Sequence, residues 1–223
     1  FVNVPESAVY HLPDNLSLET AALIEPTAVA VQAVKEGGLR FGDTVAVFGA
    51  GPIGLVTIAA AKAGGATKII ALDLSDSRLA MAKEIGATHI INSGKEDAVE
   101  AIRKIVPRGV DVAFEVAGVQ KTVEQSIYAT KPRGTMVIIS IFANPITWHP
   151  MQLINTGVKV TSSIAYSPSS FQETIDLMAS GQLDVTSIIT KKIEFIDIVE
   201  EGFKTLVSDK TQSKILVTLS GEK

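Results

Sequence analysis

The sequence contains no cysteine, which excludes a disulfide framework and any thiolate-ligated metal centre built from these residues alone. It also lacks an excess of positive charge: 20 lysines and arginines stand against 24 aspartates and glutamates, for a net charge of −4. Scattered along the chain, these charges offer no basic face to neutralise nucleic-acid phosphates, so no nucleic-acid partner is expected. Only 3 histidines are present, and His11, His89 and His149 include no pair at the i, i+4 spacing that places two imidazoles on one helical face. No basic start leads into an apolar block, so no secretory signal is expected in these residues. The absence of cysteine suits a reducing compartment, and the expected location is cytoplasmic. The opening, "FVNVPESAVYHLPDN", has no initiator methionine and reads as the interior of a strand. The expectation is therefore a portion of a longer protein.

What is present is a foldable chain: 223 residues, 46% hydrophobic and 20% charged, enough for one core with appendages. Its most informative stretch is "TVAVFGAGPIGLVTIAAAKAGGATKIIALDLSDSR", Thr44 to Arg78. The uncharged part reaches about 18 residues, the lower limit for spanning a bilayer. Three glycines and Pro52 interrupt it, however, between a β-branched segment and a helix-forming one. A strand, a tight turn and a helix are expected instead, and no membrane span. Gly49, Gly51 and Gly54 fall in the GxGxxG pattern, with Pro52 and Ile53 inside it. The first glycine permits the sharp turn, the second lets a pyrophosphate approach the backbone, and the third lets helix and strand lie close. Pro52 suits the first helical turn, where a missing N–H is harmless, and the remaining N–H groups face the anion.

Glycines alone also make structural turns, so the second part of the pattern decides the reading. The next apolar run, Lys68 to Leu72, ends on Asp73, about 20 residues beyond the turn, where a ribose-binding acid belongs. Its carboxylate accepts hydrogen bonds from a 2′-hydroxyl and repels a 2′-phosphate, by several kcal/mol on the order of magnitude at ~4 Å before screening. NAD is therefore expected over NADP. Arg78 could offset part of that repulsion, flank the adenine, or be a solvated helix residue. Three rival nucleotide folds lose support on the same residues. A methyltransferase wants an acid where Phe48 stands, a P-loop wants Lys and Ser/Thr where Leu55 and Val56 stand, and no tyrosine is followed four residues later by lysine.

Apolar runs recur at "TVAVF", "KIIAL", "THII", "VDVAFEV" and "TMVIISI", with helical patterns between them. These are strands buried on both faces, and the class is α/β: a doubly wound parallel sheet of the Rossmann type, with "KVTSSIA" as sixth strand and order 3-2-1-4-5-6. The switch point then lies between the first and fourth strands. Val116 and Ala117 should face Gly49 to Gly51, and the ends of the fifth and sixth strands, with Ser140, Ile141 and Ala165, should flank the nicotinamide half. Before this core stand a strand piece and two helices; after it, two helices and a last strand, "KILVTL". The expected division is 1–30 as the end of a catalytic domain, 31–168 as the NAD-binding domain, and 169–223 as helices and a strand returning to the catalytic domain.

From "LPDNLSLETAALIEPTAVAVQAV" through "GDTVAVFGAGPIG", "FEVAGV" and "KILVTL", the whole chain resembles the zinc-dependent medium-chain alcohol and polyol dehydrogenases, nearest the butanediol and sorbitol dehydrogenase branch. The resemblance implies hydride transfer between a secondary alcohol, diol or polyol and NAD. Glu25, in "ALIEPTAV", matches a zinc-ligand position, and Lys214 matches a basic position that can reach the cofactor pyrophosphate. The Cys-Gly-Ser/Thr-Asp and Gly-His-Glu motifs are not in this sequence. The resemblance therefore places zinc, and all catalytic residues proper, in a longer parent, and this chain alone is expected to be inactive. It further implies a homo-oligomer, dimer or tetramer. A zinc-free medium-chain reductase would usually take NADPH, which Asp73 and Glu25 oppose. The alternative from another class is a stand-alone, non-catalytic module that binds or senses NAD.

Overall fold

In the computed structural model, residues 3–209 and 211–219 are described; Phe1 and Val2, part of the expected opening strand, lie outside them. Two helices lead in, α1 (Leu18–Ala21) and α2 (Ile24–Glu36). The alternating core follows: β1 (Thr44–Phe48), α3 (Pro52–Ala63), β2 (Lys68–Asp73), α4 (Asp76–Ile85), β3 (His89–Asn92), α5 (Ala98–Ile105), β4 (Val110–Glu115), α6 (Gln120–Ala129), β5 (Thr130–Ile138), α7 (Met151–Thr156) and β6 (Lys159–Ser162). These six strands form one sheet in the order β3-β2-β1-β4-β5-β6, every pair parallel. The doubly wound order expected from the sequence is the order found.

The continuous apolar strands are explained by burial on both sides. Val45 and Val47 face one cluster, with α2, α3, α4 and α8 (Pro168–Ala179), whereas Ala46 and Phe48 face another, with α5. Successive side chains alternate across the sheet, so a strand covered on both faces has no polar position to spare. Helix starts are set locally. The side chains of Ser75, Asp97 and Ser167 accept hydrogen bonds from Arg78 N, Glu100 N and Ser170 N, satisfying amide groups that the first turn leaves open.

The flanks depart from expectation. No strand lies among residues 3–16, where a short 3₁₀ turn, Glu6–Ala8, takes its place. After α8 comes a strand that the sequence did not suggest, β7 (Ile189–Glu194), followed by a π-helical stretch, Ile198–Lys204, continuing into α9 (Thr205–Ser208) and then β8 (Lys214–Thr218). β7 and β8 pair in parallel as a second, two-stranded sheet. "ITKKIE" hid this strand because its outward positions are charged: Lys191 bridges to Glu201 and Lys192 to Glu19, at 3.0 and 2.5 Å. The fifth core strand is also shifted, starting at Thr130 and ending at Ile138, so that Ser140 and Ile141 fall in the loop beyond it.

At the amino ends of the strands a polar tie joins β1, β4 and β5. Asp111 accepts from Thr44 N and Thr44 Oγ1, both at 2.7 Å, and pairs with Lys131. Burial pushes the Asp111 carboxyl upward, but the Lys131 ammonium and the Thr44 donors together hold it below the ordinary 3.8. A lowered carboxyl stabilises the fold above its unfolded value, and that contribution is lost as pH falls through the folded value. The acid limb of the stability profile, below about pH 4, should therefore be shallower in Asp111→Asn than in the parent chain, as measured by urea midpoints at stepped pH.

The tightest point of the core is where α3 meets the turn after β1. A Cβ added to Gly54 would lie 1.9 Å from the Gly49 carbonyl oxygen, and Gly49 itself has φ +115. Gly54→Ala should lower unfolding free energy by about 3 kcal/mol or more, at or beyond the usual range for overpacking, as read from denaturant curves.

Candidate functional site

The carboxyl ends of a parallel sheet expose the loops where the strand order reverses, and here that point lies between β1 and β4. Val116 and Ala117 stand against Gly49: a Cβ there would come within 3.3 Å of Ala117 N and Val116 Cγ2. Between them and the end of β2 lies a cavity of about 260 Å³, lined by Gly49, Asp73, Leu74, Arg78, Ala117 and Lys121 among others. On the far side of Val116 a second cavity, about 460 Å³, is lined by Glu25, Ile53, Val116, Ser140, Ile141, Ser163 and Ala165 among others. Gly51 caps the start of α3 between the two, with nothing within 4 Å of where its Cβ would be. A larger cavity, about 540 Å³ and lined by Arg40, Asp111, Lys131 and Arg133 among others, opens at the amino ends of the strands. Ligands of doubly wound sheets bind at the carboxyl ends, so the candidate site is the pair of smaller cavities.

Asp73 organises the first half. Its Oδ2 accepts from Ala50 N at 2.8 Å, inside the glycine turn, and its Oδ1 accepts from Ser75 N at 2.9 Å, at the cap of α4. Each carboxylate oxygen has further lone-pair capacity, so both can still receive a ligand hydroxyl. Arg78 Nη1 stands 3.9 Å from Asp73 Oδ2, a loose pair across the mouth of the cavity. The second half is more apolar: Ile53, Val116, Ile139 and Ile164 form its walls. Glu25 enters it from the first turn of α2. Burial, the Glu25 charge and a hydrogen bond to Glu25 raise the Tyr166 phenol above its ordinary value of 10.0. Ala165, next to that tyrosine, holds φ +52, a conformation rare for a residue with a Cβ.

Of the residues expected from the sequence, the structure gathers Gly49, Asp73, Arg78 and Ala117 around the first cavity and Ile53, Val116, Ser140, Ile141, Ala165 and Glu25 around the second. Gly51, Pro52 and Gly54 open α3 between them. Lys214 is elsewhere: it begins β8 in the separate two-stranded sheet and lines neither cavity. The residue that sequence reasoning missed is Glu115. It is fully buried at the end of β4, and its carboxylate accepts from Ala117 N, Gly118 N, the Thr122 hydroxyl and the Ser140 hydroxyl. The signal was available, because a charged residue inside a strand buried on both faces must have partners.

Comparison with known proteins adds an independent line. Residues 52–180 match a family model described as "Zinc-binding dehydrogenase". The chain is similar to (R,R)-butanediol dehydrogenase of Bacillus subtilis (strain 168), at 43% identity over 217 residues, covering 97% of this chain and 62% of that protein. The crystal structure of 2R,3R-butanediol dehydrogenase from Bacillus subtilis superposes with a TM-score of 0.90, covering 95% of this chain and 60% of that one. A Sinorhizobium meliloti 1021 structure bound to NADP follows at 31% identity and TM-score 0.87, covering 96% of this chain and 63% of its own. The chain thus spans about three fifths of the length of these relatives.

Because Asp73 holds two backbone N–H groups through two oxygens, Asp73→Asn would turn an amide nitrogen towards one of them. We expect a loss of about 1–3 kcal/mol of stability, the penalty of one unpaired buried donor, readable from urea unfolding without any ligand.

Proposed function

Because this chain belongs to the zinc-binding dehydrogenase family, we propose that it is the NAD-binding portion of an oxidoreductase that moves hydride between a secondary alcohol, diol or polyol and NAD. One observation carries this reading: a glycine turn opening a helix and an acid ending the next strand are hydrogen-bonded to each other, Ala50 N to Asp73 Oδ2, beside a cavity at the switch point. The residues fit the cofactor. Gly51, open on its Cβ side, admits a pyrophosphate against the N–H groups at the start of α3. Asp73 would accept the adenosine ribose hydroxyls, with Arg78 beside it, and Ala117 would border the adenosine half. Ile53, Val116, Ser140, Ile141 and Ala165 would enclose the nicotinamide half and exclude water from one face of the ring. The nicotinamide supplies the hydride acceptor or donor.

Zinc is a different matter. A catalytic zinc takes three protein ligands, and among the described residues no group of three or more His, Cys, Asp or Glu side chains could hold a metal. Glu25, at the nicotinamide cavity, offers one carboxylate. These residues do not fit a zinc by themselves, and no step is derived through one here. The same reading divides the chain into 1–30, 31–168 and 169–223, with the outer parts packing on a catalytic domain. It makes the 223-residue chain inactive towards alcohols, keeps it in the cytoplasm, and assembles dimers or tetramers on the outer edge of β6, the last strand of the sheet. Lys214 is not included in the cofactor site of this proposal, since β8 lies in the second sheet.

Preference for NAD over NADP follows from charge. A 2′-phosphate would approach the Asp73 carboxylate, and Arg78, at 3.9 Å, offsets that repulsion only in part. Binding stabilises by mass action, about 2.7 kcal/mol at a hundredfold excess over Kd. A thermal-shift titration should raise Tm with NAD and much less with NADP, and Gly51→Val should abolish the shift while leaving the unliganded Tm close to that of the parent. Equal shifts with both cofactors would overturn the assigned preference; no shift with either would overturn the cofactor site.

A further inference from the structure

Glu115 carries a charge that cofactor binding, as described so far, does not use. Its Oε1 accepts from Ala117 N and Gly118 N, each at 2.9 Å, and from Thr122 Oγ1 at 2.7 Å, while Oε2 accepts from the Ser140 hydroxyl. A carboxylate is only an acceptor. The single hydroxyl proton of Ser140 is therefore committed inward, and Ser140 can show the cavity nothing but lone pairs. In the same cavity stands Ser163, 7% exposed, with a buried hydroxyl oxygen that has no hydrogen-bond partner among the described residues. An apolar cavity holding one fixed acceptor and one unpartnered hydroxyl calls for a ligand group that both donates and accepts.

We propose that Glu115 is a positioning residue that makes Ser140 a hydrogen-bond acceptor for the amino group of the nicotinamide carboxamide, so that the site distinguishes a carboxamide from a carboxylate. The proposal rests on the reading that this cavity takes the nicotinamide half. A carboxamide gives its N–H to Ser140 and can receive a proton from Ser163. A ring carboxylate would instead set its oxygens against Ser140 lone pairs, with the Glu115 charge directly behind them in a water-poor wall, where like charges interact strongly. In Glu115→Gln the amide oxygen still accepts from Ala117 N and Gly118 N. Its NH₂ then donates to Ser140 Oγ, which turns the Ser140 proton towards the cavity and reverses its hydrogen-bonding sense.

The test is calorimetric titration of the full chain with three probes: NAD, nicotinic acid adenine dinucleotide, and ADP-ribose, which lacks the ring. The parent chain should bind NAD roughly tenfold or more tightly than the acid analogue, one charge-assisted hydrogen bond gained or lost. Glu115→Gln should bring that ratio near one or reverse it, with ADP-ribose affinity held within about twofold. Ser140→Ala leaves Glu115 its three other donors, and it should weaken NAD while leaving the acid analogue unchanged. This second variant keeps the test decisive if Glu115→Gln folds poorly, and it separates the loss of an acceptor from a general effect of charge. A ratio near one in the parent chain, or one that neither variant moves, would overturn the proposal. If ADP-ribose binds and the ring adds no affinity, this inference fails and the cofactor reading stands; if neither NAD nor ADP-ribose binds, both fail.

Discussion

The contact on which the rest of the crevice depends is the approach of α3 to the turn that follows β1. With only hydrogen atoms on the α-carbons of Gly49 and Gly54, the helix can start directly over the strand end, and no side chain fits where a Cβ on Gly54 would meet the Gly49 carbonyl. The amide groups of the first helical turn are thereby brought to the centre of the sheet's carboxyl edge. The neighbouring Ala50 amide is not left for a ligand, because Asp73 holds it from the next strand. Turn, helix and ribose-binding acid form one rigid unit before any cofactor arrives, which limits the ordering cost of binding.

Glu115 does for the other wall what Asp73 does for the first. A fully buried carboxylate is tolerable only when its lone pairs are filled, and here the donors come from the loop after β4, the first turn of α6 and the loop after β5. Gly118, with φ +70, lets the first of these loops come close to the last; a Cβ on it would lie 2.7 Å from the Ile141 carbonyl oxygen. Two carboxylates, one on each side of the switch point, thus draw separate chain segments into a single groove. Neither is a surface ion pair whose contribution salt would screen away.

Much of this was legible in the sequence, for a specific reason. Strands covered on both faces must be apolar at every position, so "TVAVF" and "KIIAL" announce themselves, and a glycine turn followed by a terminal acid has few alternative explanations. The sheet order followed from the handedness of parallel crossovers. What escaped notice were elements whose energetics are not written in local hydrophobicity. β7 is half polar and is held by Lys191 and Lys192 ion pairs and by β8, none of which periodicity reveals. Glu115 lay inside a recognised apolar run, and its importance became visible only once the four donors around it were in place. Lys214 was carried into the site by resemblance alone, and the structure puts it at the start of β8, outside both cavities.

The double duty of Asp73 bears on how such a site could change its cofactor. An exchange from a ribose hydroxyl to a ribose phosphate is usually imagined as the removal of one acid and the addition of a base. Here the acid is also the only side chain bonded to the Ala50 amide, so deleting it loosens the turn that must carry the pyrophosphate of either dinucleotide. A lineage or a designer changing specificity at this position would need a neutral acceptor for Ala50, Ser or Thr for example, before a new cation could be of use. The route between the two cofactors therefore passes through a compensating hydrogen bond, and Arg78, already placed beside the carboxylate, becomes effective only after that bond exists.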